Sequence, residues 1–271
     1  MSINHNQYSR QLIKTIEKVS YRKAIWQVFS DFVEMSSLSL SNAVDIFHRP
    51  ERESRYLDII NSYDKKEQAL FPEMYAFLIE ALELEMEVNG PTDVLGEVYH
   101  HFELHNKWKG QYFTPQNICD MMGMMICGDE TQAAIVNKGY ITLNEPTCGS
   151  GAMIMGFAKA MKRQNMNYCK QLFVIAQDID PKCVHMTYLQ LSLYGIPAVV
   201  VHANTLTLEE WARWYTPVYM FDNWAYRLRK YFNEYHRISA QSTDLPGMSS
   251  VAKAQQMFFF FDEIHQKAVS L

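Results

Sequence analysis

The stretch "NEPTCGSGAMIM", residues 144–155, decides how this chain is read. It follows a β-prone segment, "YITL" at 140–143, and leads into an apolar helical pattern over 152–165. An acid and a proline close the strand, and Gly149 and Gly151 then stand one residue apart. Glycines spaced in this way let a backbone turn sharply and approach another molecule closely. The helix behind them offers free N–H groups and the positive end of its dipole. The stretch is a strand-to-helix turn suited to holding a small molecule.

Downstream, β-rich runs alternate with helical ones. "QLFVIA" precedes a helix over 181–194, which has Asp180 as N-cap, Pro181 at its first position and Gly195 after its end. "AVVV" precedes a run at 208–215 in which Thr207 and Glu210 fit a capping box, and "VYMF" at 218–221 reads as a fourth strand. Strands alternating with helices predict a parallel α/β sheet with right-handed crossovers, whose ligands sit at the carboxyl ends of the strands. Upstream, residues 1–106 read as helical throughout: "KAIWQVFSDFVEM" carries an apolar stripe, and "PEMYAFLIEALELEMEVNG" has a proline start and an Asn-Gly stop. The expected organisation is a helical region over 1–106, a cofactor-binding α/β region over 107–235, and a tail over 236–271. The tail's apolar burst "MFFFFDEI" fits an edge strand or a docking helix.

Composition narrows the function. Hydrophobic residues make up 48 % and charged residues 20 %, a globular balance. No apolar run reaches the length of a membrane span, and "MSINHNQYSRQLIK" lacks a signal-peptide core. Five scattered cysteines fit a reducing cytoplasm and form neither a disulfide framework nor a zinc motif. His101 and His105 are four apart, but no third ligand accompanies them, so no metal site is expected. The net charge of −5 argues against a broad nucleic-acid surface on this chain alone.

The turn itself excludes two ligands. Ile154 stands where a dinucleotide fingerprint has its third glycine, and the lysine of a nucleotide-triphosphate loop is absent. Glu145, four residues before Gly149, suits a cationic or zwitterionic group. Asp178, closing "AQD", can accept the hydroxyls of a ribose, and Asn204, closing "HAN", suits an adenine edge. Ribose, adenine and an amino-acid group together describe S-adenosylmethionine.

Four motifs in order carry a family resemblance. "GQYFTP" at 110–115, with "DVLGEVYHHF" just before it, resembles the region that precedes the sheet in adenine-N6 DNA methyltransferases. "EPTCGSGAM", "AQDIDP" and "HANTL" are similar to that family's successive cofactor motifs. The resemblance is greatest to the modification subunit of type I restriction systems. It implies that Tyr112, Phe113 and Thr114 line the methionine end of S-adenosylmethionine. It further implies that Glu145, Cys148, Gly149 and Gly151 form the turn beneath it, that Asp178 holds the ribose, and that Asn204 stands at the adenine. The family's catalytic loop, a polar residue followed by two prolines and an aromatic, aligns with Asn223-Trp224-Ala225-Tyr226. Asn223 and Tyr226 are kept there and both prolines are lost. Paired prolines fix the loop that handles a flipped base, so methyl transfer is expected to be weak or lost. The 42 residues after Arg229 are too few for the family's remaining strands and recognition segments. DNA is therefore expected to be bound weakly, with a partner protein, such as a restriction–modification subunit, supplying recognition. The alternative is a non-catalytic relative that binds protein and modulates such a complex.

Overall fold

The computed structural model describes residues 7–102 and 113–231. Among the described residues, eight helices precede the first strand: α1 (Gln7–Val19), α2 (Ile25–Asn42), α3 (Arg49–Ile60), α4 (Lys65–Gln68), α5 (Leu70–Val88), α6 (Val94–His101), α7 (Gln116–Ile126) and α8 (Asp129–Lys138). Then come β1 (Ile141–Glu145), α9 (Ala152–Arg163), α10 (Tyr168–Gln171), β2 (Leu172–Asp178), α11 (Pro181–Leu193), β3 (Ala198–Asn204), β4 (Glu209–Tyr215) and α12 (Pro217–Phe221). The chain divides into two compact units, Met1–Asp222 and Asn223–Leu271.

Within the first unit the sheet order is β1-β2-β3-β4. The first three strands are parallel, with Ala176 opposite Glu145 on one side and Val200 on the other. Strand residues alternate between two buried faces. Leu172, Val174, Ala176, Ala198, Val200 and Trp214 belong to one core that also takes in the preceding helices. Phe173 and Tyr215 point the other way, where their rings meet Tyr219 of α12 at 5.9 and 5.3 Å. Helix α11 is buried at every residue from Cys183 to Ser192, the signature of a helix enclosed on all sides. The sheet lies against one side of it and α2 against another, where Ser37 Oγ donates to the His185 carbonyl at 3.1 Å.

The sheet differs from the all-parallel expectation. Residues 209–215 form not a helix but β4, antiparallel to β3. The four residues between β3 and β4 can close only a hairpin, since a parallel partner needs a crossover of a dozen or more. The residues expected to cap a helix serve this turn instead. Asn204 Oδ1 accepts from the Leu206 and Thr207 backbones, Thr207 Oγ1 accepts from Glu209 N, and Leu208 takes a left-handed φ of +61°. Arg52 fixes the strand from the helical side. Its Nη1 donates to Asp45 at 2.8 Å, its Nη2 donates to the Arg213 carbonyl at 2.7 Å, and its guanidinium lies 4.3 Å over the Trp214 ring. "VYMF", expected as a strand, falls in helix α12, with Pro217 preset at its first position.

Helices α7 and α9 cross backbone to backbone. A Cβ on Gly123 would lie 2.5 Å from the Gly156 carbonyl oxygen, and one on Gly156 would lie 2.5 Å from that of Cys119. The opposite face of α7 exposes Met121 and Met125. Gly123→Ala should therefore cost about 1–3 kcal/mol through overpacking. Met125→Ala, at a side chain 77 % exposed, should stay within about 0.5 kcal/mol. Urea unfolding of the two variants checks the contrast, and equal costs would refute the close crossing.

Candidate functional site

The turn after β1 is built from backbone bonds that only its sequence allows. Cys148 N donates to the Gln177 carbonyl at 2.9 Å, fastening the turn to β2. Gly149 and Gly151 both take left-handed φ, +55° and +95°, a region costly for residues with a Cβ. Gly151 N donates to Cys148 O at 2.8 Å, and Thr187 Oγ1 of α11 donates to Gly149 O at 2.9 Å. Phe113 sits over Gly149, since a Cβ there would approach its ring to 3.1 Å.

Asp178, the last residue of β2, organises the other wall. Its Oδ2 accepts from Gly149 N and its Oδ1 from Asp180 N, each at 2.9 Å. A carboxylate has about four acceptor sites, more than these two bonds use. Burial pushes the Asp178 carboxyl up, while these backbone donors pull it back down. Asp180 caps α11 by accepting from Lys182 N, and its carboxylate pairs with Lys182 Nζ at 3.0 Å.

Between these walls lies a cavity of about 820 Å³, lined by Phe113, Thr114, residues 147–150, Ala152, Met153 and residues 178–182. That volume is in the range of small-molecule sites. Of the residues expected at the cofactor, Phe113, Thr114, Cys148, Gly149 and Asp178 meet here. Gly151 shapes the turn behind the lining. Glu145 closes β1 outside the described lining; burial and then the nearby Asp178 raise its carboxyl, while the Thr147 backbone donates to it. Asn204 spends its Oδ1 on the β3–β4 turn. Tyr112 and the tail over 236–271 lie outside the described residues.

Asn223 and Tyr226 require a correction to their setting. The run expected to present them from a strand end is helix α12, and residues 224–231 are helical. Asn223 forms the turn between, with φ +52°, and Tyr226 is 67 % exposed. Arg227 lies 3.8 Å over the ring of Trp224. Lining residues that the sequence reading passed over, Thr147, Ser150, Met153, Ile179 and Lys182, directly flank the ones it named. Adjacency to a glycine turn and to a strand-ending acid was the available signal.

The N-6 DNA Methylase family model matches residues 91–261. The chain belongs to this family. The N-6 DNA methylase match contains the whole glycine turn, Asp178 and α11. Two of the solved structures similar to this chain are the following. One is a Listeria monocytogenes protein assigned to the class I S-adenosylmethionine-dependent methyltransferases, at 11 % identity and TM-score 0.44, covering 74 % of this chain and 55 % of that one. The other is the methyltransferase subunit of a type I restriction-modification system from Streptococcus thermophilus, at 18 % identity and TM-score 0.30, covering 70 % and 42 %. The chain thus spans about half the length of these structures. No curated protein matches it. No helix among the described residues is long and apolar enough to cross a membrane.

Glu97 of α6 is raised from 4.5 to about 7 by burial and by the charges of Asp93 and Glu85, opposed by Lys159. A raised acid favours the folded state fully below its unfolded value and loses that contribution as pH rises through its folded value. The stability of wild type minus that of Glu97→Gln should therefore fall between about pH 4.5 and about pH 7 and be flat above. The expected drop is about 1–2 kcal/mol after discounting for solvent. Urea midpoints across pH measure it, and a constant difference would refute it.

Proposed function

We propose that this N-6 DNA methylase relative binds S-adenosylmethionine in the cavity between residues 147–153 and 178–182. The observation that carries this reading is Asp178, whose two oxygens are aimed by Gly149 N and Asp180 N. The residues fit the ligand. Asp178 can accept from a diol, Gly149 leaves room for the Phe113 ring to lie directly on the turn, and Phe113 and Thr114 close one side of the cavity. The cofactor's contribution would be an electrophilic methyl group. The chain's own contribution is to hold and orient the cofactor.

Adenine in DNA is the acceptor this family reading supplies, with recognition provided by a partner protein such as a restriction–modification subunit. Methyl transfer by the chain alone is expected to be very slow or absent. The sequence beside Asn223 favours this, since Trp224 and Ala225 stand where paired prolines would fix the backbone. The same observation favours a second reading, a non-catalytic relative that binds the cofactor and modulates a DNA-defence complex through protein contacts.

S-adenosylmethionine or its demethylated product should raise the melting temperature, because a ligand selective for the folded state stabilises it. Asp178→Ala should remove the shift while the protein stays folded. Absence of any shift at millimolar ligand in the wild type would refute cofactor binding. Tritiated methyl transfer to unmodified DNA, compared between wild type and Asn223→Ala, separates the readings. Turnover that Asn223→Ala abolishes would establish catalysis by that loop.

A further inference from the structure

The motif "DVLGEVY" spans residues 93–99. It places Asp93, Gly96 and Tyr99 at steps of three, along one side of α6 and its cap. All three are buried, Asp93 to 5 % exposure.

Asp93 joins three separate pieces of chain. Its Oδ1 accepts from Gly96 N at 2.7 Å and from Gln190 Nε2 of α11 at 2.9 Å. Its Oδ2 accepts from the hydroxyl of Ser150, which stands between the two left-handed glycines. Gln190 closes the ring: its Nε2 also donates to the Ser150 carbonyl at 2.9 Å, and its Oε1 accepts from Leu95 N at 3.0 Å. Gly96 is bare because a Cβ would lie 1.9 Å from Asp93 Oδ2 and 2.7 Å from Ser150 Oγ. The far end of α6 reaches the same turn by another route. Tyr99 packs its ring 4.9 Å from that of Phe113, and Phe113 covers Gly149. One helix therefore reaches two successive residues of the cofactor turn, Ser150 through a buried hydrogen-bond network and Gly149 through a tilted pair of aromatic rings.

We propose that α6 positions the cofactor turn, with Asp93 the positioning residue that acts through Ser150. A helix cap needs only the bond to Gly96 N; the bonds to Ser150 and Gln190 serve the turn. Breaking a buried, fully connected network leaves polar groups without partners and loosens what they held. The helical layer that carries α6 thereby has a direct path to the shape of the cavity. This inference rests on the reading that residues 147–153 bind S-adenosylmethionine.

The test uses the full chain and the variants Ser150→Ala, Asp93→Ala and the double variant. Ser150→Ala spares the α6 cap, so it separates positioning from helix stability. Two quantities are measured: the Kd of S-adenosylhomocysteine by calorimetry, and amide hydrogen exchange over residues 147–151 without ligand. Each single variant should raise Kd about tenfold and speed exchange in the turn about tenfold. The double variant should do little more than the worse single, as residues in one network couple. A lowered melting temperature with unchanged turn exchange and unchanged Kd would leave Asp93 as a cap only and overturn the proposal. Additive effects in the double variant would overturn it as well. If the wild type binds no S-adenosylhomocysteine, the cofactor reading fails and the exchange measurement alone judges the positioning role.

Discussion

The site depends on one carboxylate holding two backbone N–H groups at the end of a strand. Asp178 receives Gly149 N and Asp180 N, and so ties the turn after β1 to the start of α11. Two consequences follow from that grip. Gly149 must enter the left-handed region to present its N–H, and α9 must then start from Gly151, the next left-handed residue. Without the carboxylate, these donors would need other partners in a half-buried cleft, at a cost of order 1–3 kcal/mol for each unmet group. The cavity is the space left between the two walls that this bond holds together.

Burial sets the chemical character of the cavity as well. The carboxyls of Asp93, Glu145 and Asp178 are all raised chiefly by loss of solvent. The thiols of Cys148 and Cys183 are raised for the same reason. A thiol needs its anion to attack, so these two cysteines act as small packing residues. Polar groups and an aromatic cover are what the cavity offers, which suits binding a reactive group made elsewhere.

Much of this was legible in the sequence because its signals are local. Asp180, Pro181 and Gly195 mark the ends of α11 within a few residues, and the structure places the helix between them. The glycine pair and the strand-ending acid mark the turn and the wall facing it. The errors arose where local and distant signals disagree. Thr207 and Glu210 satisfy a capping pattern, yet Arg52, 161 residues before its partner Arg213, and a four-residue turn decide for a strand. "VYMF" has strand-like composition, yet Pro217 and the ring contacts of Tyr219 place it in a helix across the sheet. The partnership of Asp93 with Ser150 spans 57 residues, and no periodicity can report it.

The seam between α7 and α9 has a consequence for how this protein can change. At Gly123 and Gly156 the two backbones meet with no side chain between them, so there is no rotamer to adjust and no methylene to trade. Two residues after Thr114 at the cavity, α7 begins, so this seam also anchors the wall that Phe113 and Thr114 supply. The outward methionines of the same helix have solvent beside them and can be exchanged, oxidised or covered with little strain. A single helix thus presents a fixed side and a free one. Variation should collect on the free side as neutral drift, while the fixed side behaves as a ruler that any viable descendant must inherit unchanged.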